Sequence, residues 1–178
     1  MSIEYFQRRQ NILREKIAKE NLDGMLVTNL THIRYLCGFT GSSATLLITD
    51  DEIHFITDGR YVVQSEKEVK GANVIIDSIP HFEVIRNEGL LKNEQKIGFD
   101  GNNVTHQGYQ QISKVLSSQH LVNITGVIEK LAMVKDDKEL EAIKTAVEIT
   151  DKAFSEVLPM VQILSLIHIW RCRRTTEC

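Results

Sequence analysis

The sequence predicts an α/β fold in which a mixed β-sheet is flanked by helices. Helical and strand patterns alternate along the first 132 residues, and none of them repeats a fixed internal unit. Two adjacent apolar strands are separated only by a short acidic turn, which is typical of a hairpin. Strand–helix units follow the hairpin. A hairpin combined with such units favours one sheet with helices on its faces.

The chain opens with an amphipathic helix over residues 2–20. Ile3, Phe6, Leu13 and Ile17 recur at near-helical spacing among charged residues, which indicates one buried stripe. The segment 21–24 ends this pattern because it combines asparagine, aspartate and glycine.

The remaining elements of this region are predicted from short apolar runs and from the turn-forming residues between them. Strands are predicted at residues 25–28, 44–49, 53–57, 73–77, 96–100 and 121–125. Helices are predicted at residues 60–69, 82–90 and 105–117. Thr105 or Asn103 is expected to cap the last of these helices.

A boundary is predicted near residues 134–137, followed by one long amphipathic helix over residues 138–158. Its apolar positions include Leu140, Ile143 and Phe154. Pro159 is expected to end it. A helix of this kind needs a partner surface, so we expect it to be the first helix of another domain.

Composition and charge exclude several classes of protein. Apolar residues make up 42% and charged residues 25%, which is typical of a globular protein. The net charge of −3 gives no reason to expect a nucleic-acid partner. Only Cys37 precedes the last residues of the chain, so no disulfide framework is expected. No apolar run approaches the roughly 20 residues that span a bilayer, and no signal pattern opens the chain. We therefore expect no membrane association and a cytoplasmic location.

The sequence shows no recognisable catalytic or metal-ligating arrangement. No two of the first five histidines stand at helical ligand spacing; they are His32, His54, His81, His106 and His120. The acidic cluster at residues 50–52 is expected to shape a hairpin turn, and that at residues 136–137 to cap a helix. Nucleophile elbows, phosphate loops and metal-type cysteine spacings are lacking. We therefore assign this chain no catalytic residue and no metal ligand.

Four segments, in order and in register, carry a family resemblance. They are Asp23–Thr28 with His32–Ser42, Ile56–Tyr61, Ile97–Asp100 with Thr105 and Tyr109, and Ile128–Leu140 continuing to Phe154. Together they resemble the N-terminal part of the Xaa-Pro peptidases, the family of aminopeptidase P and prolidase, with creatinase as a non-peptidase relative. The segments look most like those of a short bacterial Xaa-Pro aminopeptidase, and the resemblance covers nearly all of residues 1–160.

The resemblance implies a creatinase-type N-terminal domain over residues 1–132. It implies that residues 133–162 are a linker and the first helix of a truncated metallopeptidase domain of the pita-bread fold. That domain binds two divalent ions, commonly Mn²⁺, through two Asp, one His and two Glu, all of which follow the long helix. No cofactor is therefore expected in this chain, and the isolated chain is expected to be inactive.

The resemblance also implies a function for the full-length protein. An aminopeptidase of this family removes an N-terminal residue that precedes proline, by attack of a metal-bridging hydroxide. The N-terminal domain contributes oligomer contacts and restricts access to the cleft, so a homo-oligomer and proline-containing peptides are the expected partners. The alternatives are a prolidase, a creatinase-like hydrolase fragment, or a non-catalytic, peptidase-like interaction module.

The best candidate for a functional element is the Gly-, Thr- and Ser-rich connection over residues 29–43. His32, Arg34 and Tyr35 are its substrate-cleft candidates, and Arg60 is a fourth. Asn is common in the family where His32 stands. The alternative interpretation is a helix and turn with Tyr35, Leu36 and Phe39 in the core. For Arg60, the alternative is a structural ion pair beside a turn that Asp58 caps.

Residues 163–178 are interpreted as a non-native tail. They break the helical pattern, contain the single Trp and two of the three Cys, and have no counterpart in the family. One back-translation matches a transposase sequencing adapter with its TGA codon read as Trp. The alternative interpretation is a basic C-terminal segment that binds an acidic partner.

Overall fold

A computed structural model describes residues 3–161, and the tail prediction lies outside these residues. The chain divides into a first compact unit that ends at Met133 and a second that begins at Val134. The strands of the first unit are β1 (Gly24–Val27), β2 (Thr45–Thr49), β3 (Ile53–Thr57), β4 (Asn73–Ile76), β5 (Lys96–Asp100) and β6 (His120–Ile124).

These strands form one sheet in the order β4-β3-β2-β1-β5-β6. β2 is antiparallel to both β1 and β3, and the other three neighbouring pairs are parallel. The mixed sheet that the sequence predicts is therefore confirmed, with the predicted hairpin as β2 and β3. Since β1 pairs on both sides and all four of its residues are buried, it is the central strand of the fold.

The helices of the first unit are α1 (Ile3–Lys19), α2 (Leu30–Cys37), α3 (Val62–Glu68), α4 (His81–Asn87), α5 (His106–Val115) and α6 (Val127–Met133). α1, α2 and α6 cover one face of the sheet, where Leu13, Ile33 and Ile128 join a core cluster with Met25. α4 and α5 cover the other face, where side chains such as Ile85 and Ile112 pack on alternate strand residues.

Two helices differ from the sequence-based prediction. Residues 60–69 form a 3-10 turn, Gly59–Tyr61, before α3, because the Asp58 carboxylate caps the Arg60 N–H and tightens the first turn. α6 was not predicted. It follows Gly126, whose φ of +72° lets the chain turn sharply out of β6.

Cys37 ends α2 inside the core, with none of its surface exposed. Burial raises the pKa of its thiol to about 11, and a backbone hydrogen bond from Phe39 opposes this only in part. At neutral pH the residue is therefore a packed, protonated thiol.

The second unit contains the predicted long helix as α7 (Asp137–Val157). The prediction that its acidic start forms a cap is confirmed. The Asp136 carboxylate accepts from the Glu139 N–H and the Glu139 side chain accepts from the Asp136 N–H, which is a capping box. The helix ends before Pro159, which lies in a short 3-10 turn. No helix within residues 3–161 is long and apolar enough to cross a bilayer.

Truncation of Leu47 to alanine is expected to lower the free energy of unfolding by about 2–5 kcal/mol, since the side chain is fully buried between the sheet and α4–α5. Urea denaturation measures this change. Val63→Ala is the control, since that side chain is 61% exposed and its loss should change stability by less than about 0.5 kcal/mol. Equal effects of the two substitutions would contradict this assignment of the core.

Amides of α7 are expected to exchange with solvent faster than those of β2 and β3. None of the residues of α7 is buried, and its apolar side chains Leu140, Ile143 and Phe154 are 45%, 47% and 65% exposed. A helix without burial depends on local propensity and caps, which give marginal stability. Native-state hydrogen exchange by mass spectrometry makes the comparison, and equal protection of the two regions would refute it.

Candidate functional site

One edge of the sheet gathers most of the polar connections. The strand register brings the ends of β1 and β3 to this edge, where Val27 pairs with Leu46 and Thr57 with Ile76. β5 and β6 end there as well, since they run parallel to these strands. The segments that follow these strands therefore lie side by side.

At the centre of this edge, the chain leaves two neighbouring parallel strands in opposite directions. After β1 it enters α2, which packs on one face of the sheet, and after β5 it enters α5, which packs on the other. The strand ends are thus separated by a crevice. In open α/β sheets, ligands bind in crevices of this kind.

Three side chains meet at the crevice: His32 from the first turn of α2, Asp100 from the end of β5, and Glu129 from α6. One potential ligand atom of each lies within 4.8 Å of the other two. His32 Nε2 is 3.6 Å from Glu129 Oε1, which is too long for a hydrogen bond. The side chains of His32 and Glu129 are 12% and 43% exposed, and Asp100 is 6% exposed.

Two buried atoms of this group lack a hydrogen-bond partner, His32 Nδ1 and Glu129 Oε2. Such atoms lose their hydration without compensation, which costs roughly 1–3 kcal/mol each. The group therefore retains unused donor and acceptor capacity inside the domain.

Asp100 is oriented by an amide relay. Its Oδ1 accepts from the Asn102 N–H at 3.0 Å, and its Oδ2 accepts from Asn103 Nδ2 at 2.6 Å. Asn103 Oδ1 in turn accepts from Asn29 Nδ2 at 2.5 Å. Asn29 is also the N-cap of α2, where it accepts from the N–H groups of Thr31 and His32. The relay therefore fixes the start of α2 against the end of β5.

The other candidates in the 29–43 connection have different surroundings. Arg34 lies on the exposed side of α2. Tyr35 is half-buried, with the guanidinium of Arg9 3.7 Å above its ring and bonded to its carbonyl oxygen at 2.8 Å. The connection contains a helix, α2, as the alternative interpretation expected; Leu36 and Phe39 are core residues, while Tyr35 is only partly buried against the core.

The glycine-rich part of the connection is held by side chains of the next helix. Glu68 accepts from both the N–H and the hydroxyl of Thr40, and Gln64 donates to the same hydroxyl. Burial opposes ionisation of Glu68, but the hydrogen bonds from Thr40 and Gln64 outweigh it and lower the pKa. Gly41 is required here, since a Cβ would lie 2.3 Å from the Phe39 ring.

Arg60 lies at the same edge, after β3, and its side chain is 70% exposed. It forms a fork with Asp58, with 2.8 Å between Nε and Oδ1 and 2.9 Å between Nη2 and Oδ2. The bond from Arg60 holds the pKa of the Asp58 carboxyl well below its usual range. The ion pair beside a capped turn, offered above as the alternative for Arg60, is thus present in the structure.

No pattern in the sequence predicted the grouping of His32 with two carboxylates. Asp100 and Glu129 are 68 and 97 residues further along the chain than His32, so no spacing rule connects them. One signal was available: His32 follows β1 and Asp100 ends β5. Without the strand order, nothing places those two strands side by side.

A two-metal centre of the kind implied by the resemblance requires five ligands. In the part of the chain that the structure describes, the group of three or more metal-ligating side chains is His32, Asp100 and Glu129. Three side chains do not fit a five-ligand, two-ion set. No catalytic step is therefore assigned to these residues.

Comparison with known proteins supplies the family. The creatinase/prolidase N-terminal domain model matches residues 9–134. The uncharacterized peptidase YqhT of Bacillus subtilis (strain 168) is 33% identical over 160 residues, covering 84% of this chain and 42% of that protein.

Solved structures of Xaa-Pro peptidases are also similar to this chain. The Xaa-Pro dipeptidase from Bacillus anthracis is similar with a TM-score of 0.82 and 28% identity, over 88% of this chain and 44% of that one. The aminopeptidase P from Streptococcus thermophilus is similar with a TM-score of 0.63 and 32% identity, over 71% of this chain and 98% of that one.

The chain thus spans less than half the length of the two Bacillus relatives. The matched residues coincide with the sheet and helices of the first unit. The chain belongs to the creatinase/prolidase N-terminal domain family, that of the N-terminal domain of Xaa-Pro peptidases.

Proposed function

We propose that the chain is the oligomerisation and cleft-forming domain of a cytoplasmic, metal-dependent Xaa-Pro aminopeptidase. The observation that carries this proposal is the family match over residues 9–134, together with the similarity to the solved aminopeptidase P chain from Streptococcus thermophilus, 98% of which is covered. In this proposal residues 1–132 are the N-terminal domain, and residues 133–162 are the linker and first helix of the catalytic domain.

Prolidase activity is the second candidate, favoured by the similarity to the Bacillus anthracis dipeptidase along 88% of the chain. The two activities differ in the length of peptide that they accept. The full-length protein, assayed on Xaa-Pro dipeptides and Xaa-Pro-Yaa tripeptides, separates them. Cleavage of the tripeptides supports the aminopeptidase, and cleavage of the dipeptides alone supports the prolidase.

Two divalent ions, Mn²⁺ by family resemblance, would supply the nucleophile and polarise the substrate in the catalytic domain. The residues of this chain would act on binding instead. Arg34 and Arg60 are the exposed cations of the candidate set. Arg34 suits a peptide carboxylate or carbonyl, whereas Arg60 would have to exchange its fork with Asp58 for such a contact. His32 and Tyr35, which are held further inside, would support the rim of the cleft from behind.

The purified chain is expected to hydrolyse no Xaa-Pro peptide in the presence of Mn²⁺, Co²⁺ or Zn²⁺. The reason is that its described residues supply three clustered ligands rather than five. Release of the N-terminal amino acid, followed by chromatography, is the measurement. Turnover that a chelator abolishes and Mn²⁺ restores would overturn the expectation.

In the full-length protein, Arg34→Ala and His32→Ala are expected to raise KM more than they lower kcat, because these residues would act on binding and the ions would supply the bond-breaking chemistry. Steady-state kinetics on a tripeptide measures both constants. Arg86→Ala is the matched control, since Arg86 is an exposed arginine on α4 and should leave both constants unchanged. Unchanged kinetics with a lowered Tm would instead give His32 and Arg34 a purely structural role.

A further inference from the structure

We propose that His32, Asp100 and Glu129 form a binding site for one divalent transition-metal ion, such as Zn²⁺, within the N-terminal domain. The three side chains come from α2, the end of β5 and α6, which are far apart in sequence. One nitrogen and two carboxylate donors are a ligand set that zinc and its neighbours bind well.

The spacing of the donors fits an ion. Their ligand atoms lie within 4.8 Å of one another, and His32 Nε2 is 3.6 Å from Glu129 Oε1. Ligand atoms around a tetrahedral zinc lie about 3.4 Å apart, because each is about 2.0–2.2 Å from the metal. A separation of this size is too long for a hydrogen bond and close to that of two ligands on one ion.

The second carboxylate oxygen of Glu129 and the proximity of the two carboxylates give further support. Glu129 Oε2 is buried without a hydrogen-bond partner. The two carboxylates also repel each other at this distance, and a cation between them would remove that repulsion. An ion held by His32 Nε2 therefore accounts for the proximity of the carboxylates, and Glu129 Oε2, on the same carboxylate as Oε1, is available to bind it as well.

The surroundings resemble those of a supported metal ligand. Asn103 donates to Asp100 Oδ2, and Asn29, which caps α2 one turn before His32, donates to Asn103. Hydrogen bonds of this kind orient ligating carboxylates and tune their affinity. The group also lies at the crevice where the chain leaves β1 and β5 towards opposite faces, the usual position of a ligand in such sheets.

The exposed His120–Glu94 pair provides a contrast. Its Nε2 and Oε2 atoms are 2.8 Å apart, but the side chains are 61% and 78% exposed. Its two atoms already contact each other, and both side chains are largely solvated. It is therefore the matched control for adventitious binding by a histidine and a carboxylate.

The test uses the full chain with Cys172→Ser and Cys178→Ser, so that no thiol of the C-terminal segment binds metal. Zn²⁺ alone is titrated by isothermal calorimetry, and Co²⁺ replaces it for visible spectroscopy. We expect one ion per chain, and cobalt d–d bands without a thiolate charge-transfer band. Zn²⁺ at about 100 times its Kd should raise Tm by roughly 5–10 °C.

Two substitutions locate the site. His32→Asn removes the imidazole ligand but keeps a polar side chain, and Glu129→Gln changes a partly exposed side chain. Each should weaken the Kd by at least about 10-fold, the loss that changing a supporting residue alone causes. His120→Gln should leave the Kd and the rise in Tm unchanged. If circular dichroism shows that His32→Asn does not fold, the Kd of Glu129→Gln alone tests whether the ion binds at this site.

Several results would overturn the proposal: no saturable binding of Zn²⁺ by the parent chain, equal Kd in Glu129→Gln and the parent, loss of binding only in His120→Gln, or a thiolate charge-transfer band with Co²⁺. These results do not depend on peptidase activity. The proposed function could therefore fail while the metal site stands, or stand while the metal site fails.

Discussion

The pairing of β1 determines where everything else in the N-terminal domain lies. This strand is buried on both faces, runs antiparallel to β2 and parallel to β5, and thereby connects the hairpin half of the sheet to the strand–helix half. Because of that register, one edge of the sheet receives most of the connections that carry polar side chains. The covering helices are then placed by the alternation of strand residues, with α2 and α5 on opposite faces.

Much of this architecture could be predicted from the sequence because it is encoded locally. The hairpin, the cap at Thr105 and the capping box before α7 each depend on residues within a few positions of one another. Even α2 could be weighed as an alternative, since Asn29 and Gly38 flank it as a cap and a left-handed terminator. α6 lacked such a signal, because it is short and its Ile128 is buried by contacts with distant elements.

The candidate site was harder to predict than the fold, because it too depends on contacts between distant elements. Arg60 and Asp58 are two residues apart, and their pairing could be foreseen. The approach of His32 to Asp100 and Glu129 depends on the order of the strands and on the return of α6 to the face that α2 covers. Both features depend on contacts between segments that are distant in sequence. The apolar pattern within a single segment does not predict such contacts. Membership of the family identifies the domain but does not indicate this grouping.

The buried thiol of Cys37 has a practical consequence for spectroscopy. With its pKa raised to about 11 and no exposed surface, it will not compete for maleimide or methanethiosulfonate reagents under native conditions. A background without Cys172 and Cys178 is therefore effectively thiol-free to such reagents while its core packing is intact. Single cysteines placed on the exposed sides of α2 and α7 would then accept paired spin labels, and interlabel distances would report the arrangement of the two units in solution.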